Sequence, residues 1–383
     1  MPEPDTDVVV VGLGAWGSMA LWQLAARGVR VIGVERHGRG HSLGASHGGS
    51  RMFRVTCLEH PGLVPLARRS AELWDLLGRL TGKPLLHRYG GLLIGAPDSA
   101  VAGGTLAAAR EHGIDVEPLG RARLAERFPQ HTALAPDDIG VWEPSAGLLR
   151  PEASIRAALG AAETAGARIF TGTEVTGIQP TDDGVLVHSP ARTWQARRVV
   201  VATGSWLPSM PTLTPLPGLR VVRMPVTWFE PEDGTDRFRL ADFPVFMREL
   251  DGGTVLWGCG ADPPHDVKLG LEQFGATAIP FDPLDTDRSV TPADWAPLRE
   301  VLAEHLPGLR PEPSRVAVCM LTLTPDGQFV LGSLPEAPNV IVAGGDNAHG
   351  FKHATGIGEL LADLATGREP RIDFSFMDVK RFR

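Results

Sequence analysis

Cysteine is scarce in this sequence: Cys57, Cys259 and Cys319 are the only three among 383 residues. They are odd in number, far apart and without a CxxC pair, so neither a disulfide framework nor a structural zinc site is expected. Long apolar runs are missing as well. No segment approaches the roughly 18 residues of a membrane span, and nothing near Met1 reads as a charged stretch leading into an apolar one. A cytoplasmic protein is the expectation. No block of basic residues occurs either: 37 Lys and Arg stand against 45 Asp and Glu, a net charge of −8. That balance argues against nucleic acid and anionic membranes as partners.

What remains is the composition of a soluble globular protein, 43% hydrophobic and 21% charged. The length exceeds what one core ordinarily holds, so two domains, or one interleaved pair, are expected.

The segment DVVVVGLGAWGSMALWQLAARGVRVIGVER reads as strand, tight turn, helix, strand. Asp7 to Val11 is a short apolar run suited to a parallel sheet buried on both faces. Gly12, Gly14 and Gly17 follow in GxGxxG spacing: a sharp turn, a close approach of backbone N–H groups to a pyrophosphate, and close packing of helix on strand. The helix from about Ala15 to Arg27 turns its positive end to the phosphates. A second strand, Val29 to Val34, ends in Glu35, 21 residues past Gly14. A carboxylate there accepts hydrogen bonds from a ribose diol. An isolated GxGxxG is weak evidence; strand, glycines, helix, strand and acid in this order are strong.

The motif alone does not separate NAD from FAD. The loop that follows, RHGRGHSLGASHGGSRMFRV, is rich in Gly, Ser, His and Arg, and can lie along a cofactor that extends well beyond the phosphates. It favours the longer dinucleotide.

Farther on, Leu63 to Leu77 has helical periodicity, and RYGGLLIG opens a separate lobe. A helix is expected from Pro151 through Ala165, with strands at Ala167 to Thr171, Glu174 to Ile178 and Val185 to His188. The hairpin Asp182-Asp183-Gly184 precedes the last of these. RRVVVATGSW is a buried strand running into a turn. Proline density between Pro208 and Pro225 reads as a crossover, and Val221 to about Val318 suits an antiparallel sheet. Asn339 to Gly367 is strand, glycine-rich loop, helix. The resulting fold class is α/β plus α+β: a discontinuous Rossmann-like FAD-binding domain (1–80, 145–215 and 325–383) with an inserted antiparallel-sheet substrate domain (81–144 and 216–324).

These pieces together resemble the monomeric sarcosine oxidase family, which includes N-methyltryptophan oxidase and, more distantly, pipecolate and fructosyl amino acid oxidases. The resemblance runs from about Asp7 to Asp373. Its most specific parts are GxGxxG with Glu35, SHGGSRMFR, VKLG at Val267 to Gly270, CMLTLTPDG, and HGFKHATGIGE. It implies an FAD-dependent oxidase that acts on the C–N bond of an amino acid, yields an imine and reduces O2 to H2O2. It also implies a monomer.

By the same resemblance Cys319 carries the FAD through a thioether; read from position alone, a free cysteine in a strand is a small buried hydrophobe. Arg54 and Lys352 match the pair that binds the substrate carboxylate, where an arginine or lysine in a polar loop is otherwise a solvated charge. Lys268 matches the lysine placed over the flavin face for reduction of O2, Arg51 an arginine beside the ring, and His349 a histidine near it. Ser46, His47 and Ser50 on the glycine-rich loop, with Arg36, Val175, Gly204 and Gly350, complete the implied cofactor contacts. Glu272 stands where sarcosine-type members carry histidine, Leu321 where they carry an aromatic hydroxyl, and Trp257 where they carry tyrosine. Sarcosine itself is therefore in doubt, and a larger or cationic secondary amine is plausible. Three readings stay open beside this one: an imino acid or D-amino acid oxidase, or a dehydrogenase with another acceptor; an NAD-dependent dehydrogenase; and a flavin-carrying sensor without turnover.

Overall fold

The computed structural model describes residues 4–210, 216, 218–233, 236–272, 278–285 and 287–382. Valines from the first apolar run sort onto the two faces of a sheet by parity, as a strand of period two requires. Thr6–Val11 pairs in parallel with Val31–Val34 on one side and with Thr193–Val201 on the other. Val8 and Val10 face one apolar cluster, Val9 and Val11 another. The first cluster lies beneath the helices Ala15–Ala26, Leu63–Thr81, Pro151–Thr164 and Ala354–Thr366.

Thr193–Val201 is shared along its length. Its first residues pair antiparallel with Gly184–His188, and its last three run parallel to Ala337–Gly344. The chain therefore returns to this sheet from both ends of the sequence. Gly358 marks how tightly it closes: a Cβ there would press on Met19, so the last helix lies directly on the first.

A second eight-stranded sheet has the order Arg315–Leu323, Arg220–Phe229, Val267–Glu272, Val255–Cys259, Val245–Glu249, Gly91–Gly95, Ile139–Glu143, Glu117–Leu119. A small third sheet joins Arg51–Phe53 to Gly147–Leu149 and Leu86–His87.

Two expectations need correction, and a third lies partly outside the described residues. The strand expected over Glu174 to Ile178 begins at Gly177 instead, because the preceding residues are drawn to other partners: Thr173 N–H donates to the Glu35 carbonyl. The region Val221 to Val318 is not purely antiparallel. Val245–Glu249 runs parallel to Gly91–Gly95, and the helix Ala296–His305 interrupts the strands. The crossover expected between Pro208 and Pro225 falls partly on 211–215 and 217, outside the described residues. Among the described residues no helix is long and apolar enough to cross a membrane.

Candidate active site

The glycine turn builds one wall of an elongated cavity of about 350 Å³. Gly12 sits at φ +84°, a conformation that L side chains rarely adopt. A Cβ on Gly17 would collide with the Gly12 carbonyl oxygen, whereas a Cβ on Gly14 would meet nothing within 4 Å. Gly17 is thus needed for packing and Gly14 for the open approach in front of the helix. Glu35 is nearly buried. Its two oxygens accept N–H groups from Leu13 and His37, each at 2.8 Å, which fixes the carboxylate at the cavity rim.

Arg36, Ser46, Val175, Gly204 and Gly350 line the same cavity, as the sequence led us to expect. Val175 does so from the loop preceding its strand. Two buried polar atoms on this wall, Thr203 Oγ1 and His37 Nε2, have no hydrogen-bond partner among the described residues. A glycine cradle at a helix start, a ribose-seeking carboxylate and orphaned polar atoms fit a dinucleotide.

A second cavity of about 150 Å³ adjoins the first. Arg51, Leu321, Ala348 and Phe351 line both. Cys319 opens into the smaller one from the strand Arg315–Leu323, only 2% exposed. Its sulfur lies 3.1 Å from His47 Nε2 and 3.7 Å from Arg51 Nη2. His47 Nε2 is also 3.2 Å from the Val318 carbonyl, which can only accept, so this nitrogen carries the hydrogen. Burial, followed by the Arg51 and Lys268 charges, pushes the His47 pKa down to about 4, and the ring is neutral.

Lys268 reaches the same place from the same sheet, two strands away from Cys319. Its ammonium donates to the carbonyls of Gly48 at 3.0 Å and Ser50 at 2.8 Å, and lies 5.6 Å from the Trp228 ring centre. Among the described residues no carboxylate pairs with it. Burial, then the Arg51 charge, lowers its pKa to about 7. Gly48 and Gly49, at φ +90° and +75°, turn their carbonyls and N–H groups in opposite senses. Their N–H groups donate to Glu152, at 2.7 Å from Gly48. The SHGGSR loop is therefore pinned between one carboxylate and one ammonium.

Arg54 and Lys352 come together across nearly 300 residues of sequence, and a third residue completes them. Arg54 Nη2 donates to Glu59 Oε1 at 2.7 Å, and Lys352 Nζ donates to the same oxygen at 2.9 Å. Arg54 also donates to the Thr56 carbonyl. Burial disfavours the Glu59 charge, but the two cations outweigh it and hold the carboxyl well below its usual range. Arg54 is likewise opposed by burial, yet its pKa is raised by Glu59. His349 lies beside them, its Nε2 3.4 Å from the Gly327 carbonyl and its ring 4.7 Å from Phe329. Burial lowers its pKa to about 4.

Every implied residue thus falls on one of the two cavities or directly behind them: Gly17 under the turn, His47 behind Cys319. Sequence reasoning missed Glu59 and Glu152. Glu152 was visible only as part of a helix start, and Glu59 only as an acid five positions after Arg54.

A dinucleotide cradle that shares a wall with a buried cationic pocket defines the class, a nucleotide-dependent oxidoreductase. The profile of the family described as FAD dependent oxidoreductase matches residues 7–364. Monomeric sarcosine oxidase of Streptomyces avermitilis is 35% identical over 367 residues, 94% of this chain and 94% of that protein. N-methyl-L-tryptophan oxidase of Yersinia pestis is 31% identical over 386 residues, 99% of this chain and 100% of that protein. A solved structure of NikD, an unusual amino acid oxidase essential for nikkomycin biosynthesis, matches with a TM-score of 0.84 at 27% identity over 97% of each chain. The chain belongs to the FAD-dependent oxidoreductase family, in the group that holds monomeric sarcosine oxidase and N-methyl-L-tryptophan oxidase.

Proposed function

We propose that the protein oxidises the C–N bond of a secondary amino acid, N-methylated or cyclic, to an imine and reduces O2 to H2O2. The observation that carries this reading is the cation pair Arg54 and Lys352 in a pocket that shares Arg51 with the nucleotide cavity. A carboxylate entering a partly dry pocket needs such a partner, whereas a sensor does not.

FAD, when bound, supplies the two-electron acceptor for the C–N bond and hands the electrons to O2. Gly12, Gly14, Gly17 and Glu35 hold its nucleotide end, with Arg36, Ser46, Val175, Gly204 and Gly350 along its length. Cys319 is the covalent anchor, and His47 and Ser50 flank it. Arg54 and Lys352 carry two positive charges against the single Glu59 carboxylate, which leaves one charge for the substrate carboxylate. Lys268 supplies the positive charge that favours superoxide after the first electron reaches O2. Arg51, on the wall of both cavities, would supply a positive charge beside the bound flavin. His349, kept neutral by burial, shapes the pocket wall without adding charge.

The reading includes a cytoplasmic monomer. It assigns 1–80, 145–215 and 325–383 to the cofactor domain and 81–144 and 216–324 to the substrate domain. A peroxide-coupled screen of the purified holoenzyme across N-methyl amino acids, cyclic imino acids and D-amino acids tests it. Peroxide from one of the first two groups is expected. Turnover only with an artificial electron acceptor would replace the oxidase reading by a dehydrogenase one.

A further inference from the structure

One group on the wall of the smaller cavity has no part in the reaction just described. Glu272 ends the strand Val267–Glu272 and lines the cavity with Arg54, Glu59 and Lys352. Its carboxylate makes no ion pair and no side-chain hydrogen bond among the described residues. Arg54 and Lys352 already share Glu59, and a substrate carboxylate takes up their remaining positive charge. Glu272 is then a surplus acid. Burial and the nearby Glu59 charge raise its pKa to about 7, against the pull of Arg54 and Lys352. A half-buried carboxylate without a partner is costly, and a ligand that brings its own cation relieves that cost.

The strand geometry says where such a cation lies. Residues 268, 270 and 272 share one face, so Lys268 and Glu272 stand about 13 Å apart along the strand. Gly270 between them bears no side chain, and a Cβ there would strike the indole of Trp257, its partner on the next strand. The ring therefore lies over Gly270, between Lys268 and Glu272 on the strand, and lines the cavity with Met247 and Met224 as an apolar surface. A substrate whose α-carboxylate sits on Arg54 and Lys352 can reach Glu272 with a side chain laid along the indole, an apolar surface whose face itself attracts cations.

We propose that Glu272 is a specificity determinant: the amino acid substrate carries, beyond an apolar linker, a second basic group, an ammonium or guanidinium, that pairs with the Glu272 carboxylate. This rests on the oxidase reading, which puts the substrate carboxylate on Arg54 and Lys352.

Binding of ε-aminocaproate and caproate to the holoenzyme, followed by calorimetry above about pH 7, tests the pairing without turnover. Neither compound has an α-amine, and they differ only in the distal cation. Aminocaproate should bind about tenfold tighter or more, in line with close charge pairs at buried sites, and Glu272→Gln should abolish the difference. In turnover, the kcat/KM ratio of N-α-methyl-lysine to N-methylnorleucine should fall from above about ten to near one in the same variant. Equal affinities for the two probes in the unmodified protein, or an E272Q loss shared equally by both, would overturn the proposal; the shared loss would put Glu272 on the carboxylate or the reacting amine. If no amine yields peroxide while aminocaproate keeps its advantage, the oxidase reading fails and the pairing stands. Equal kcat/KM for neutral and basic substrates in the unmodified enzyme fails the pairing alone.

Discussion

Lys352 Nζ lies 2.9 Å from Glu59 Oε1, an oxygen that Arg54 also holds. The pair proposed for a substrate carboxylate is closed by a carboxylate of the protein's own, while Glu59 Oε2 is buried without a partner among the described residues.

Glu59→Gln removes that charge and leaves two buried cations on a neutral amide. Breaking a buried pair in this way costs about 3 kcal/mol or more. Denaturant unfolding should show the loss, and a simple carboxylate such as acetate should restore more stability to the variant than to the unmodified protein. The pH dependence has a fixed sign. Glu59 is held below its ordinary 4.5, so its contribution is complete above that value and is lost as the pH falls through the depressed one. The variant should lack this acid-induced loss.

Arg54→Ala should separate amino acids from amines that lack a carboxylate. Truncating one partner of a buried charge contact costs roughly 2–5 kcal/mol, so KM for amino acids rises about 30-fold or more while KM for plain amines changes less. Steady-state kinetics with matched pairs of substrates measures it, and an equal rise for both would remove Arg54 from carboxylate binding.

Lys268 has a pKa lowered to about 7, so its charge is lost as the pH rises through that value. Reoxidation by O2 should therefore slow across that range. Lys268→Met should slow reoxidation much more than anaerobic reduction and should flatten the pH profile. Stopped-flow measurement of the two half-reactions decides, and equal slowing of both would refute the role.

Cys319→Ser should leave flavin that is released on acid precipitation, whereas the unmodified chain should retain its colour in the pellet. Free FAD in the supernatant of the unmodified protein would rule out the thioether. Loss of colour in a Cys259→Ser variant instead would move the anchor to the other thiol of this cavity.

How much of this was legible in the sequence depended on how local each signal is. The strand, glycines, helix and Glu35 lie within a single βαβ unit, and the structure places all of them as read. Cys319, Arg54, Lys268 and Lys352 were found through motifs, although their meeting depends on contacts between distant segments. Glu59 and Glu152 carry no motif. Their roles are set by partners 293 and 104 residues away, and no local pattern encodes that distance. Val175 was expected within a strand over Glu174 to Ile178, but that strand begins at Gly177, after Gly172 and Thr173 donate to the His37 and Glu35 carbonyls.

Anaerobic mixing of the purified holoenzyme with a secondary amino acid tests the central claim most directly. The account predicts that visible flavin absorption bleaches, that admitting O2 restores it, and that one H2O2 appears for each substrate molecule consumed. A colourless protein, or a flavin spectrum that no secondary amino acid bleaches, would contradict it.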